Sequence, residues 1–319
     1  MTAAASKVAA PALKRLRLEH RDVVLAGGHR VGVSSCGEGI PFVMIHALGG
    51  EGMLYARQLT RIASLGFRAV AVDIAGHGRS GGLVRRGWRW SPYVDLHRRA
   101  LDTLEIDQAV LAGHSMGGKI AVEIAALEPQ RALAVLAINA PIGRLYDAVT
   151  ASFRRLPVLL PVGAGLLATD IAGTTVRARR EMARNVALGD LGRQRLSSLG
   201  SVLRAFVATI SDCSSARQLR QLRDHQVPTV VIHGDRDLAV WFASSRLAAE
   251  DADATLVRIH GGGHVWLLED ADTLPAVFAG LLDEGLLGRV ETPAGAVVPS
   301  APARQRWSID RRPSSAARQ

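Results

Sequence analysis

The chain has 319 residues, a formal net charge of +10 and 48% hydrophobic residues, enough to fill one large α/β core with an insertion. Its two cysteines, Cys36 and Cys213, lie far apart and exclude a disulfide framework or a cysteine-rich zinc site. No apolar run approaches the ~18 residues of a membrane span, and aromatics at 4% are too few for a nucleic-acid stacking surface despite the positive charge.

In chain order, residues 1–21 form an Ala-rich basic extension with Lys7, Lys14, Arg15, Arg17 and Arg21. It has no apolar stretch followed by a small-residue cleavage site, so a cytoplasmic location is expected. Phe42-Val43-Met44-Ile45 reads as a buried strand running into His46-Ala47-Leu48-Gly49-Gly50 and a helix near Gly52-Met53. Gly76-His77-Gly78-Arg79-Ser80 is too short for a phosphate loop and lacks the Lys-Ser/Thr ending, so it reads as a structural turn. Trp88, Trp90 and Tyr93 are expected to pack a loop and the start of a helix that has Pro92 in its first turn.

Gly113-His114-Ser115-Met116-Gly117-Gly118 lies between an apolar strand, Ala109–Ala112, and a helical run, Lys119–Leu127. A serine at the tip of so tight a turn needs strained backbone angles and neighbours without side chains, and Gly113 and Gly117 supply the room. The helix N-terminus behind Ser115 offers free N–H groups to a developing oxyanion. A serine hydroxyl becomes a good nucleophile when a base takes its proton, and a buried carboxylate fixes the tautomer of an imidazole base.

Both partners are available downstream. The strand Thr229–Ile232 ends in His233-Gly234-Asp235-Arg236-Asp237, and the strand Thr255–Ile259 ends in His260-Gly261-Gly262-Gly263-His264. Asp237 lies far enough along its loop to turn back over the sheet edge and is favoured over Asp235, which suits a turn or a partner for Arg236. His264, delivered by three glycines, is favoured over His260, which ends the strand and is expected to point into it.

Segment 141–225 interrupts the strand–helix alternation and is helical in pattern, with helices expected at Thr175–Leu188 and Leu196–Ile210. An apolar patch within 156–168 includes Leu159 and Leu160, which with Trp266 are candidate substrate-pocket residues; packing onto the core is the commoner fate of such a patch. The organisation expected is an extension at 1–21, a core of 22–140 and 226–288, a helical cap at 141–225, and a disordered tail at 289–319. Positive charge concentrates in the extension, the insertion and the tail, and solvated arginine faces explain it better than nucleic-acid binding.

The stretches His46–Gly50, Val72–Ser80, Gly113–Gly118, His233–Asp237 and Gly263-His264 together resemble the α/β-hydrolase superfamily, in its branch of serine esterases, lipases, lactonases and cofactor-free haloperoxidases. The resemblance implies a mostly parallel eight-stranded sheet with helices on both faces and an inserted helical cap. It implies a triad of Ser115, Asp237 and His264, with the backbone N–H groups of Leu48 and Met116 as oxyanion donors. It implies no metal or cofactor, and a small-molecule acyl ester as substrate; peripheral membrane contact is not favoured. Asp73 and His77 would brace the loops near the serine. Ala47 departs from the family's usual glycine, and Asn139, ending the strand 133–138, removes the family's alternative site for the acid. Ser115 in place of an aspartate argues against epoxide hydrolase and haloalkane dehalogenase chemistry. Hydrolysis of a carboxylic ester is the expected reaction. A C–C bond hydrolase or a cofactor-free perhydrolase would use the same triad, and a non-catalytic ligand-binding protein would use the same fold.

Overall fold

The computed structural model describes residues 16–83, 86–155, 165, 169, 176, 199–288, 290 and 306–310. Its centre is one nine-stranded sheet, one strand more than the eight expected, in the order β1-β2-β4-β3-β5-β6-β7-β8-β9. The strands are β1 (Glu19–Val24), β2 (Arg30–Cys36), β3 (Ile40–Ile45), β4 (Phe67–Val72), β5 (Ala109–His114), β6 (Ala132–Ile138), β7 (Thr229–Gly234), β8 (Thr255–Ile259) and β9 (Trp307–Asp310). β1 and β2 pair antiparallel, and β2 pairs antiparallel with β4. β3 to β8 run parallel.

Every residue of β5 and of β7 is buried. That explains why these strands read as continuous apolar runs: a parallel sheet is covered by helices on both faces. In β3, Val43 and Ile45 face one core with α2 (Ser91–Thr103) and α3 (Met116–Leu127). Phe42 and Met44 face the other, with α1 (Ala56–Ser64) and a late helix at Thr273–Asp283. Phe278 of that late helix stands edge-on to Phe42 and Phe67, with ring centroids 5.0 Å apart in both pairs.

The strand order reverses at β3, which lies between β4 and β5. The loops after β3 and β5 therefore open onto one crevice at the carboxyl ends of the strands, where open α/β sheets place their ligands.

Between β6 and β7 come α4 (Arg144–Arg155), α5 (Leu199–Ser211) and α6 (Ser215–Asp224). Leu159, Leu160 and, but for Val176, the helix expected at Thr175–Leu188 lie outside the described residues. α6 falls in the segment expected as cap, yet Leu219 and Leu222 are buried in the same core as α3. It serves as a layer of the core. α7 (Phe242–Ala252) follows β7, and Thr273–Asp283 is α8.

The tail expected to lack regular structure is corrected at Trp307–Asp310, where β9 pairs antiparallel with β8. Composition misses such a strand because its pairing partner is the open edge of β8, remote in the chain. Among the described residues no helix is long and apolar enough to cross a membrane.

Candidate active site

Ser115 follows β5 directly and precedes the first residue of α3. Its backbone is at φ 53°, ψ −120°, a strained region for a residue with a side chain. The Ser115 N–H donates to the Ile138 carbonyl at 2.8 Å, which fixes the turn to β6. The flanking glycines are obligatory by contact. A Cβ on Gly113 would lie 2.2 Å from the Gly117 oxygen, and one on Gly117 would lie 2.2 Å from the Ile45 oxygen.

His264 reaches Ser115 from the loop after β8. Its Nε2 lies 2.9 Å from Ser115 Oγ, and its Nδ1 lies 2.8 Å from Asp237 Oδ2. The carboxylate accepts, so Nδ1 carries the proton and Nε2 is free to take the serine proton. Asp237 Oδ1 accepts the backbone N–H groups of Ala239 and Val240, both at 2.8 Å. His233 Nε2 stands 3.3 Å from Oδ2. Burial alone would raise the Asp237 pKa; the His264 and His233 imidazoles outweigh it and hold the carboxyl far below the usual carboxylate range.

The rejected pair behaves differently. Asp235 accepts the Gly261 N–H at 2.8 Å, and its carboxylate lies 3.6 Å from His260. The expectation that His260 points into the strand is corrected. Ile259 takes the inward position, so the His260 side chain is 49% exposed and bonds Ser308 of β9 at 3.0 Å.

Asn139, at φ 46° just beyond β6, donates to Asp237 Oδ2 at 2.6 Å. Trp266 Nε1 donates to Asn139 Oδ1 at 2.7 Å. The structure places Trp266, the candidate pocket residue, as a buried brace on Asn139: it is 3% exposed and its indole N–H is bonded there. In the sequence Asn139 shows only the lack of an acid; its contact with Asp237, 98 residues on, comes from the sheet bringing the two strand ends together.

His46, Ala47 and Leu48 follow β3 directly. Ile74 N–H donates to His46 Nε2 at 2.8 Å. Asp73 accepts the N–H groups of Gly52 at 2.7 Å and Arg79 at 2.9 Å, and burial pushes its carboxyl up to about 7. The bracing expected of Asp73 is thus seen in its contacts. Among the described residues, neither the Leu48 nor the Met116 N–H meets a hydrogen-bond acceptor. Such unspent donors suit an anionic oxygen. No group of metal-binding side chains is found among the described residues.

A family model described as alpha/beta hydrolase fold matches residues 40–271. A protein of Mycobacterium phage D29 named "Putative non-heme haloperoxidase" is 35% identical over 276 residues, covering 83% of this chain and 96% of its own length. A bromoperoxidase from Bacillus anthracis has a similar structure, with a TM-score of 0.64 at 21% identity, over 83% of this chain and all of its own. Est816, described as an N-acyl homoserine lactone degrading enzyme, has a TM-score of 0.62 at 25% identity, over 82% of this chain and 99% of its own. The model's match spans β3 to the loop beyond His264, and with it the residues gathered around Ser115, so this chain belongs to the alpha/beta hydrolase fold family.

Proposed function

We propose that the protein is a serine hydrolase that cleaves a carboxylic ester-type bond through an acyl-enzyme. The observation that carries this reading is the single file of hydrogen bonds from Asp237 through His264 to Ser115, at 2.8 and 2.9 Å. His264 Nε2 takes the hydroxyl proton as Ser115 Oγ attacks the carbonyl carbon. The N–H groups of Leu48 and Met116 face the oxyanion that forms. His264 then protonates the departing alcohol, and a water activated by the same nitrogen releases the acid. Asp237 stays ionised throughout and stabilises the imidazolium.

The substrate of this reading is a small acyl ester handled in the cytoplasm, with no metal, cofactor or nucleic acid involved. A fluorophosphonate probe is expected to label the wild type and not Ser115→Ala, and ester turnover is expected to fall by about 10³-fold or more. Labelling that survives the change would place the nucleophile elsewhere. A panel of p-nitrophenyl esters of graded chain length, with lactones and thioesters, defines the bond cleaved.

A second reading is favoured by the phage relative's name: hydrogen peroxide replaces water at the acyl-enzyme and releases a peracid. Bromination of monochlorodimedone that requires acetate, peroxide and Ser115 supports this reading. Bromination that persists in Ser115→Ala counts against it.

A further inference from the structure

Two buried side chains outside the triad touch both halves of the site. Tyr55 ends the 3-10 turn Gly52–Tyr55 that follows the His46–Gly50 loop, and His114 is the last residue of β5, next to Ser115. Tyr55 is 1% exposed and His114 is fully buried. The Tyr55 hydroxyl lies 2.7 Å from His114 Nδ1. His114 Nε2 lies 2.8 Å from the backbone carbonyl of His264. The Ala47 N–H points at the Tyr55 oxygen, 3.4 Å away.

The direction of this chain is forced. A carbonyl only accepts, so His114 Nε2 carries the proton. A neutral imidazole then has a bare Nδ1, which accepts the Tyr55 hydroxyl proton. The lone pairs of the Tyr55 oxygen are left for the Ala47 N–H. Burial, with the His264 imidazole nearby, drives His114 down to about 3, so it stays neutral wherever an esterase would work. Burial likewise raises the Tyr55 phenol. No ring proton of His264 enters the chain; its backbone carbonyl does.

We propose that His114 and Tyr55 are positioning residues that hold the backbone of His264 over Ser115 and tie the oxyanion loop to the loop carrying the base. The inference rests on the serine-hydrolase reading. Its physical need is plain: His264 arrives through Gly261, Gly262 and Gly263, which fix little by themselves. An error of about 1 Å at a reacting group costs on the order of 10²-fold in rate.

Three variants test it. His114→Leu removes both bonds at similar bulk, His114→Gln keeps a donor long enough for the His264 carbonyl, and Tyr55→Phe removes the hydroxyl alone. In His114→Leu, kcat and the rate of fluorophosphonate labelling are expected to fall by ~10- to 100-fold with KM little changed. His114→Gln should recover most of that loss, and Tyr55→Phe should fall between. Equal rates in the Leu and Gln variants would reduce His114 to a core filler and overturn the proposal. The wild-type protein supplies a readout that needs no variant. Nitrogen NMR of the His114 ring should show a protonated Nε2 and a bare, hydrogen-bonded Nδ1 from pH 5 to 9. A ring that titrates in that range, or carries its proton on Nδ1, also overturns it. Failure of the serine-hydrolase reading shows separately, as ester turnover that survives Ser115→Ala.

Discussion

Both oxygens of Asp237 are committed: Oδ1 takes two backbone N–H groups, and Oδ2 takes Asn139 and His264. Asp237→Asn is therefore expected to lose most ester turnover, by roughly 10³-fold or more. Asp235→Asn should retain a good part of it; the reverse result would reassign the acid. The depressed folded pKa also makes a stability prediction. Asp237 contributes stability that is fully present above its ordinary 3.8 and is lost as pH falls through the lower folded value. Wild type should thus exceed Asp237→Asn in unfolding free energy at pH 7, with the gap closing towards pH 2 in denaturant titrations. Trp266 offers a second test at this scale. As a brace, Trp266→Phe leaves Asn139 Oδ1 unpaired and should cost about 1–3 kcal/mol of stability with no change in acyl-chain preference. A pocket wall would instead shift KM between acetate and octanoate esters.

Among the elements, α3 does more than present Ser115. Lys119, one turn along it, is fully buried. Its Nζ donates to the carbonyls of Thr209 at 2.9 Å and Asp212 at 2.6 Å, and lies 3.2 Å from the Asp212 carboxylate. It also sits 4.9 Å from the Trp90 ring centroid. One cation thus caps the C-terminal end of α5, where unpaired carbonyls favour positive charge, and fastens that helix to the helix that begins after Ser115. Lys119→Met should cost about 3–5 kcal/mol, since it strips a buried hydrogen-bonded charge from its partners. Limited proteolysis should then cut within 199–212 before the core opens. A loss below ~1 kcal/mol in chemical denaturation would show that α5 is held by its apolar face alone.

For the molecule as a whole, the sheet ends in a strand drawn from far along the chain. β9 covers the β8 edge, Arg258 pairs with Asp310 at 3.3 Å, and the His260 N–H donates to the Arg306 carbonyl at 2.8 Å. Truncation after residue 303 uncovers that edge. It is expected to lower Tm by several degrees and promote concentration-dependent association, because an open edge templates other strands. Labelling of Ser115 should persist, since the hydrogen bonds joining Ser115, His264 and Asp237 take no atom from β9. A truncated chain with unchanged Tm would make the strand an ornament of the edge.

Much of this was legible without coordinates because it is local. A run of β-branched and apolar residues ending in a glycine-flanked serine and followed by a helical run specifies a strand, a tight turn and a helix through backbone sterics alone. The same locality exposed the loops of Asp237 and His264 and the family they resemble. What the tertiary structure decided involves partners remote in sequence. Asn139 meets Asp237 98 residues on, Trp266 turns inward to meet Asn139, and His114 reaches the His264 carbonyl 150 residues away. His260 faces outward and the tail returns to the sheet for the same reason. A hydrogen bond between such residues leaves no periodic trace in the chain; it exists only once the sheet has brought its strand ends to one edge.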